Sequence, residues 1–360
     1  MDMTVNCLPS RTWNHLGLNE SHLTIEENNF INHIPNADGE QASCIWEPET
    51  CHPFLQENMD TGMGTNVTDL TKNAPTSLIM TKSGSHMTTP IVLNYTYTEN
   101  EHGSSRLFLD AEENSTLRAI LVLRSESPVS QGSSVLQTKI HAGAGAKIDL
   151  YVIQLLGSGF TCLNDIGGIC EDHALVNLTK LELGAGNVYV GTSIDLKGTE
   201  SRFDTHIGYH VCRGQKLDMN YVALHHGKNT ESFMDVTGTL ENGSKKLFRG
   251  TIDFQRGCAG SKGTETENVL LLGDELINQS IPLILCKEED VEGNHGASIG
   301  RLDDKVLFYL STRGISEEAA QQIIAQSRID AVCNRIPDEN LRTEIHNFEQ
   351  ERRVSYDSRQ

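Results

Sequence analysis

No stretch of this chain approaches eighteen consecutive apolar residues, which excludes a helix that spans a bilayer. Basic residues are scarce: 29 Lys and Arg stand against 49 Asp and Glu, for a formal charge of -20. Such a surface repels phosphate backbones and anionic lipid, so neither nucleic acid nor a membrane is an expected partner. Aromatics are only 6% of the 360 residues, which makes the core adequate but lean. There are nine cysteines, yet no C-x-x-C pair occurs and their spacing is scattered. That pattern suits reduced thiols rather than a disulfide framework or a zinc site. The opening "MDMTVNCLPSRTWNHLG" has no apolar stretch of the signal-peptide kind, and a cytoplasmic location is the expectation.

What is present falls into three regions. Residues 1–85 are polar and weakly periodic, which suggests a loosely structured N-terminal arm with Trp13 and Leu16 as candidate anchors. Residues 86–296 are a succession of short β-type segments, among them "RAILVLR", "KIDLYVIQLL" and "NVYVGTSIDL". Small-residue turns recur near 114, 143, 185, 214, 243 and 274. A period of roughly 30 residues with several strands per period is the mark of a solenoid whose coils stack. The expected fold is mainly β, a right-handed parallel β-helix, with a β-sandwich as the competing all-β architecture. Residues 297–360 turn helical. Asp303 or Asp304 is placed to cap a first helix, Gly314 to end it and Ser316 to cap a second. The second carries Ala320, Ile323, Ile324, Ile329 and Val332 on an apolar stripe, and Pro337 opens a third. Solenoids need capping, so the simplest role for these helices is a lid on the last coil.

Few motifs in the strand region carry chemistry. "GAGAKID" lacks the G-x-x-x-x-G-K-[ST] spacing, since Ile148 follows the lysine, so it reads as a coil corner and no nucleotide is expected on this chain. His206, His210 and Cys212 are spaced to share a strand face, where a metal site is conceivable and outward polar residues are the simpler account. His225 and His226 must point to opposite faces. No H-E-x-x-H motif occurs, and no G-x-S-x-G nucleophile elbow or paired-carboxylate motif stands out. Some parallel β-helices are carbohydrate-active enzymes, but no clustered trio of carboxylates is evident here.

The most specific stretch is "VEGNHGASIGRLDDKVLFYLSTRGISEEAA", which starts at Val291. It resembles the C-terminal signature of the SufB/SufD family of iron–sulfur cluster assembly scaffolds. The matching positions include His295-Gly296-Ala297-Ser298, Leu307-Phe308-Tyr309-Leu310 and Arg313-Gly314. The His-Gly-Ala-Ser form is closer to SufD than to SufB, which typically shows His-Glu-Ala-Thr. The likeness is strong from about 240 to 325 and rests on strand pattern from about 90 to 240.

The resemblance implies a non-enzymatic scaffold subunit of the SUF complex that pairs with SufB through the β-helix. ATP would be hydrolysed by a partner, the SufC ATPase, docked by the C-terminal helices. The docking residues would be Leu307, Phe308, Tyr309, Leu310, Arg313 and Gly314. His295 would match a family histidine at the SufB–SufD interface, a candidate ligand for transient iron or a nascent cluster. An imidazole suits iron, and Gly296 would leave room beside it. Many SufD proteins carry a cysteine two residues before this histidine; here that position is Gly293. Cys258 and Cys286 are the nearest thiols in sequence, each expected to be buried. The alternatives are a SufB-like scaffold that pairs with itself, hence a homodimer, and a β-helical carbohydrate-active enzyme.

Overall fold

A computed structural model of the chain describes residues 1–11, 14–25, 30–38, 43–46 and 59–357. Successive strands alternate between two parallel sheets. Gln131–Ala142 lies in a ten-stranded sheet, Lys147–Leu155 in a nine-stranded one, and Gly159–Cys170 is back in the first. Each strand therefore pairs with the strand two places on, as Gln131 does with Gly159 and Lys147 with Leu175. The result is a β-solenoid of about eight turns with two strands per turn. Side-chain hydrogen bonds between neighbouring coils join residues about 30 apart, 28 between Asn177 and Asp149 and 32 between Lys287 and Gln255. The sandwich alternative needs antiparallel sheets, and every pairing along the two stacks is parallel except at their first strands.

The corners explain the uneven turn spacing in the sequence. The turns near 114 and 143 lie where the chain passes from the ten-stranded to the nine-stranded sheet. Those near 185, 214, 243 and 274 lie at the opposite edge, where it passes back. The long step between 143 and 185 is thus a change of corner. At the first corner one residue per coil has a left-handed backbone: Asn114, Gly145, His173, Glu200, Asn229 and Gly260, with φ between 53° and 80°. Each donates its N–H to a carbonyl of the next coil, at 2.7–3.0 Å. Gly143–Ala146, read from its sequence as a coil corner, is part of this corner.

Inward-facing aliphatics from both sheets form one continuous core, with Leu93, Leu121, Leu150, Leu178, Ile207 and Val236 buried along it. The outer faces are covered as well. On the ten-stranded sheet lies the N-terminal arm. Its antiparallel strands Asp2–Val5 and Ser21–Thr24 and helix α1 (Thr65–Thr71) bury Met3, Val5, Met63 and Val67 on Val135, Leu163 and Tyr189. Leu8 and Leu18 pack on Leu247 and Ile281. Leu16 is exposed, so the anchoring leucines are its neighbours, and Trp13 lies outside the described residues. A buried polar knot fixes this arm. The Arg249 guanidinium donates to the Leu18 carbonyl at 2.8 Å, to Asp218 at 2.6 Å and to Ser21 at 3.0 Å. Asn6 adds a 2.8 Å bond to the same Asp218.

Three further helices follow: α2 (Asp304–Ser311), α3 (Glu317–Cys333) and α4 (Glu339–Asp357). Asp303 caps α2 by accepting the Lys305 N–H at 2.8 Å, and Ser316 caps α3 by accepting the Ala319 N–H at 3.2 Å. Gly314, with φ of 81°, turns the chain between them. Helices α3 and α4 do not lid the last coil. They lie along the outer face of the nine-stranded sheet, where Ile329, Val332, Ile336, Leu341 and Ile345 pack on Ile120, Val122, Ile153 and Leu181. That sheet is apolar on both faces, and the helices cover its outer one. On α3 the buried stripe includes Ala325, whereas Ile323 is exposed. Arg124 holds α4 through a paired contact with Glu344, 2.8 Å on each arm. Among the described residues no helix is long and apolar enough to cross a membrane.

Candidate functional site

The covering stops before the solenoid does. The last strand of each sheet, Ile277–Cys286 and Val291–Gly300, has a hydrogen-bonded neighbour on one side only. A row of main-chain donors and acceptors therefore faces outward from each. From Glu292 to Gly300 every residue is exposed. Ile277, Ile284 and Ile299 are exposed aliphatics on these two strands.

His295 sits in the middle of the terminal strand, in register with Glu265 one coil below. Alternation along Ser261–Leu272 points Glu265 and Glu267 into the solenoid, so His295 faces inward too and closes its open end. Its Nδ1 lies 3.4 Å from Glu265 Oε1, and the side chain is 31% exposed. Beneath it is a buried cluster of charges. Lys246 is paired with Glu267 and donates to Asn278 at 3.0 Å and to Ser280 at 2.9 Å. Burial, and then the Glu267 charge, push the Glu265 carboxyl up to about 8. Burial lowers the Lys246 ammonium, with the Glu267 charge opposing. The end of the core thus presents an imidazole over a buried carboxyl whose hold on a proton is strengthened by its surroundings.

Gly293 and Gly296 flank the histidine in different ways. Gly293 faces inward, and a Cβ there would meet Ile284 at 2.7 Å and Phe254 at 3.3 Å. A cysteine at 293 would have to displace Ile284, which accounts for the glycine at this position. Gly296 faces open space, so the room beside His295 does not depend on it. Cys258 is buried, and burial raises its thiol above the ordinary range. Cys286 departs from the expected burial: it ends the penultimate strand as an exposed thiol, because only the side of that strand toward the previous coil is covered.

Helix α2 follows the terminal strand and buries none of its residues. Leu307 and Leu310 are half-buried, while Phe308 and Tyr309 are 71% and 57% exposed. The Arg313 guanidinium stacks over the Tyr309 ring, 5.4 Å from its centre. Exposed aromatics of this size on a short projecting helix are unusual for a surface that stays in water.

The other histidines sort by face. His225 is buried, bonded to the Thr230 and Ser232 hydroxyls at 2.7 and 2.8 Å, whereas His226 points outward to Asp195. His206 faces Asp235 and Phe233 and does not join His210 and Cys212; Glu241, one coil on, takes that place. Sequence spacing missed Glu241 and Glu265 because both are brought in by coil stacking, about 30 residues away along the chain.

With this geometry in view, comparison with known proteins is specific. The family described as SUF system FeS cluster assembly, SufBD core domain, matches residues 94–328. A chloroplastic SufBD family protein of Arabidopsis thaliana is 25% identical over 242 residues, 65% of this chain and 43% of that protein. The iron–sulfur cluster assembly protein SufD of Bacillus subtilis is 23% identical over 264 residues, 71% of this chain and 59% of that protein. A SufBD family protein of Staphylococcus haemolyticus is 29% identical over 125 residues, 35% of this chain and 27% of that protein. The chain thus spans about two fifths to three fifths of the first two relatives, and the match covers most of its solenoid. A parallel β-solenoid with C-terminal helices, matched over 94–328, belongs to the SufB/SufD family of iron–sulfur cluster assembly proteins.

Proposed function

We propose that this chain is a scaffold subunit of the SUF machinery, without catalysis of its own, that pairs with a SufB-type subunit through its last coil. The observation that carries this is the uncovered coil itself: two free parallel edges with exposed isoleucines, and His295 at their centre. Free edges of this kind favour strand-to-strand addition by a partner with the same architecture. Iron or a nascent cluster is the cargo of that interface. Ligation by the outward Nε2 of His295 requires Nδ1 to be held, and Glu265 is the group placed to hold it. Cys286 is the described thiol on the same coil.

In this reading α2 docks the SufC-type ATPase, with Phe308, Tyr309 and Arg313 as the exposed anchors and Leu307 and Leu310 bracing the helix from within. A homodimer formed by the same edges is the alternative assembly, and the free thiols among the described residues suit a reducing, cytoplasmic setting.

The test is co-expression with SufB-type and SufC-type partners, comparing wild type with His295→Ala, read by size exclusion and by absorbance of the anaerobically purified complex. The expected result is an intact complex in both and cluster absorbance in wild type alone. Equal cluster in both would make His295 a structural residue. No complex with either partner would remove the scaffold reading.

A further inference from the structure

A second constellation lies well away from the open end, at the seam between a solenoid corner and helix α4. The strand Arg202–Val211 brings in His210, the corner after it brings in Cys212, and the end of the strand Glu231–Glu241 brings in Glu241. His210 Nε2 is 3.0 Å from Glu241 Oε1 and 3.9 Å from Cys212 Sγ. The three donor atoms all lie within 4.8 Å of one another. A tetrahedral ion with bonds of about 2.0–2.3 Å to nitrogen, oxygen and sulfur holds its ligands about 3.3–3.6 Å apart. The observed separations bracket that range, so a cation would need only small side-chain movements.

The imidazole is already oriented as in metal sites. Its other nitrogen, Nδ1, is 2.7 Å from Glu349 Oε2, a buried carboxylate on α4 that is itself paired with Arg352 at 2.7 Å. A carboxylate behind the ring fixes the tautomer that leaves Nε2 as the donor. Charge also balances, since a thiolate and the Glu241 carboxylate neutralise a divalent ion while Arg352 answers Glu349. His210 and Cys212 are buried, but the Glu241 side chain is 35% exposed, which gives an ion a way in.

We propose that His210, Cys212 and Glu241 form a site for one borderline-soft divalent cation, Zn²⁺ by its donor set, with the His210 ligand backed by Glu349 of α4 and a fourth position open to water. Mixed nitrogen, sulfur and oxygen donors suit zinc, and three protein ligands are the pattern of a site with an open coordination position. Glu349 is a positioning residue. The competing arrangement is an imidazolium bridged by Glu241 and Glu349, with the thiol idle.

Cobalt separates the two. The full-length chain, freed of metal and kept anaerobic, is titrated with Co²⁺. One equivalent is expected to give a thiolate-to-cobalt charge-transfer band with strong visible absorption of four-coordinate type, displaced by Zn²⁺. Cys212→Ser removes the charge-transfer band. Glu349→Gln keeps it but weakens binding about 10–100-fold. Glu241→Gln, at the rim and no threat to folding, weakens binding at least tenfold. His295→Ala leaves the titration unchanged, so failure here is distinct from failure of the cluster role at the open end. No charge-transfer band in wild type, a band that survives Cys212→Ser, or Glu241→Gln titrating like wild type overturns the site.

Discussion

The strand Thr116–Ser125 and the strand Val291–Gly300 occupy equivalent places in the same sheet, yet they are opposite in environment. In the first, Ala119 to Leu123 are all buried, with Leu121 in the solenoid core and Ile120 and Val122 under α3 and α4. In the second nearly everything is exposed. The contrast separates two duties that the same backbone can perform. Covered coils hold the fold, and a terminal coil left bare offers main-chain hydrogen bonds to something else. The sequence follows suit: "RAILVLR" is a nearly continuous apolar run, whereas "VEGNHGASIG" carries small and polar residues.

The comparison can be broken at several points. The largest effect is expected at the knot under the N-terminal arm. Arg249→Ala strands the buried Asp218 carboxylate and should cost about 3–5 kcal/mol in denaturant unfolding. A cost under about 1 kcal/mol would mean the arm adds little to the covered coils. Next come matched truncations: Leu121→Ala should lose about 2–5 kcal/mol, and Ile299→Ala less than about 1 kcal/mol. Equal losses from the two would show that the terminal coil is not bare in solution.

Acid offers a third test. Burial holds the His225 imidazole down at about 4, against an ordinary value near 6.5. The unfolded chain therefore binds the extra proton first, and stability falls as pH drops from about 6.5 to about 4. The loss from this one group is on the order of 3 kcal/mol. His225→Gln should flatten that limb of a stability-against-pH curve; an unaltered limb would assign the acid sensitivity elsewhere. The smallest effect on folding is expected at α2. Phe308→Ala should change unfolding by no more than about 0.5 kcal/mol, while weakening ATPase-subunit binding by about 2 kcal/mol in calorimetry. A marked loss of stability instead would place Phe308 in the fold rather than in an interface.

How much of this was legible depended on whether the signal was local. Strand alternation, the coil length near 30 and the helix caps at Asp303 and Ser316 are set by neighbours in sequence, and they can be read there. The corner column is harder, because Asn114, His173 and Glu200 meet the same backbone demand as Gly145 and share no composition. The placement of α3 and α4 on the side of the solenoid was hidden, since an apolar stripe says that a helix packs and not on what. Among the candidate site residues, His295 and the α2 aromatics were visible through one contiguous motif. Glu265 and Glu241 were not, because coil stacking alone makes them neighbours of His295 and His210.

The corner column also governs how this architecture can change length. Each left-handed residue passes its N–H to the following coil, so the stack is a ladder whose rungs are whole turns. Deleting one residue from a strand would rotate every later side chain to the wrong face, whereas removing one full turn would bring equivalent corners back together. Length in this fold is therefore quantised in turns, with single-residue variation confined to the corners.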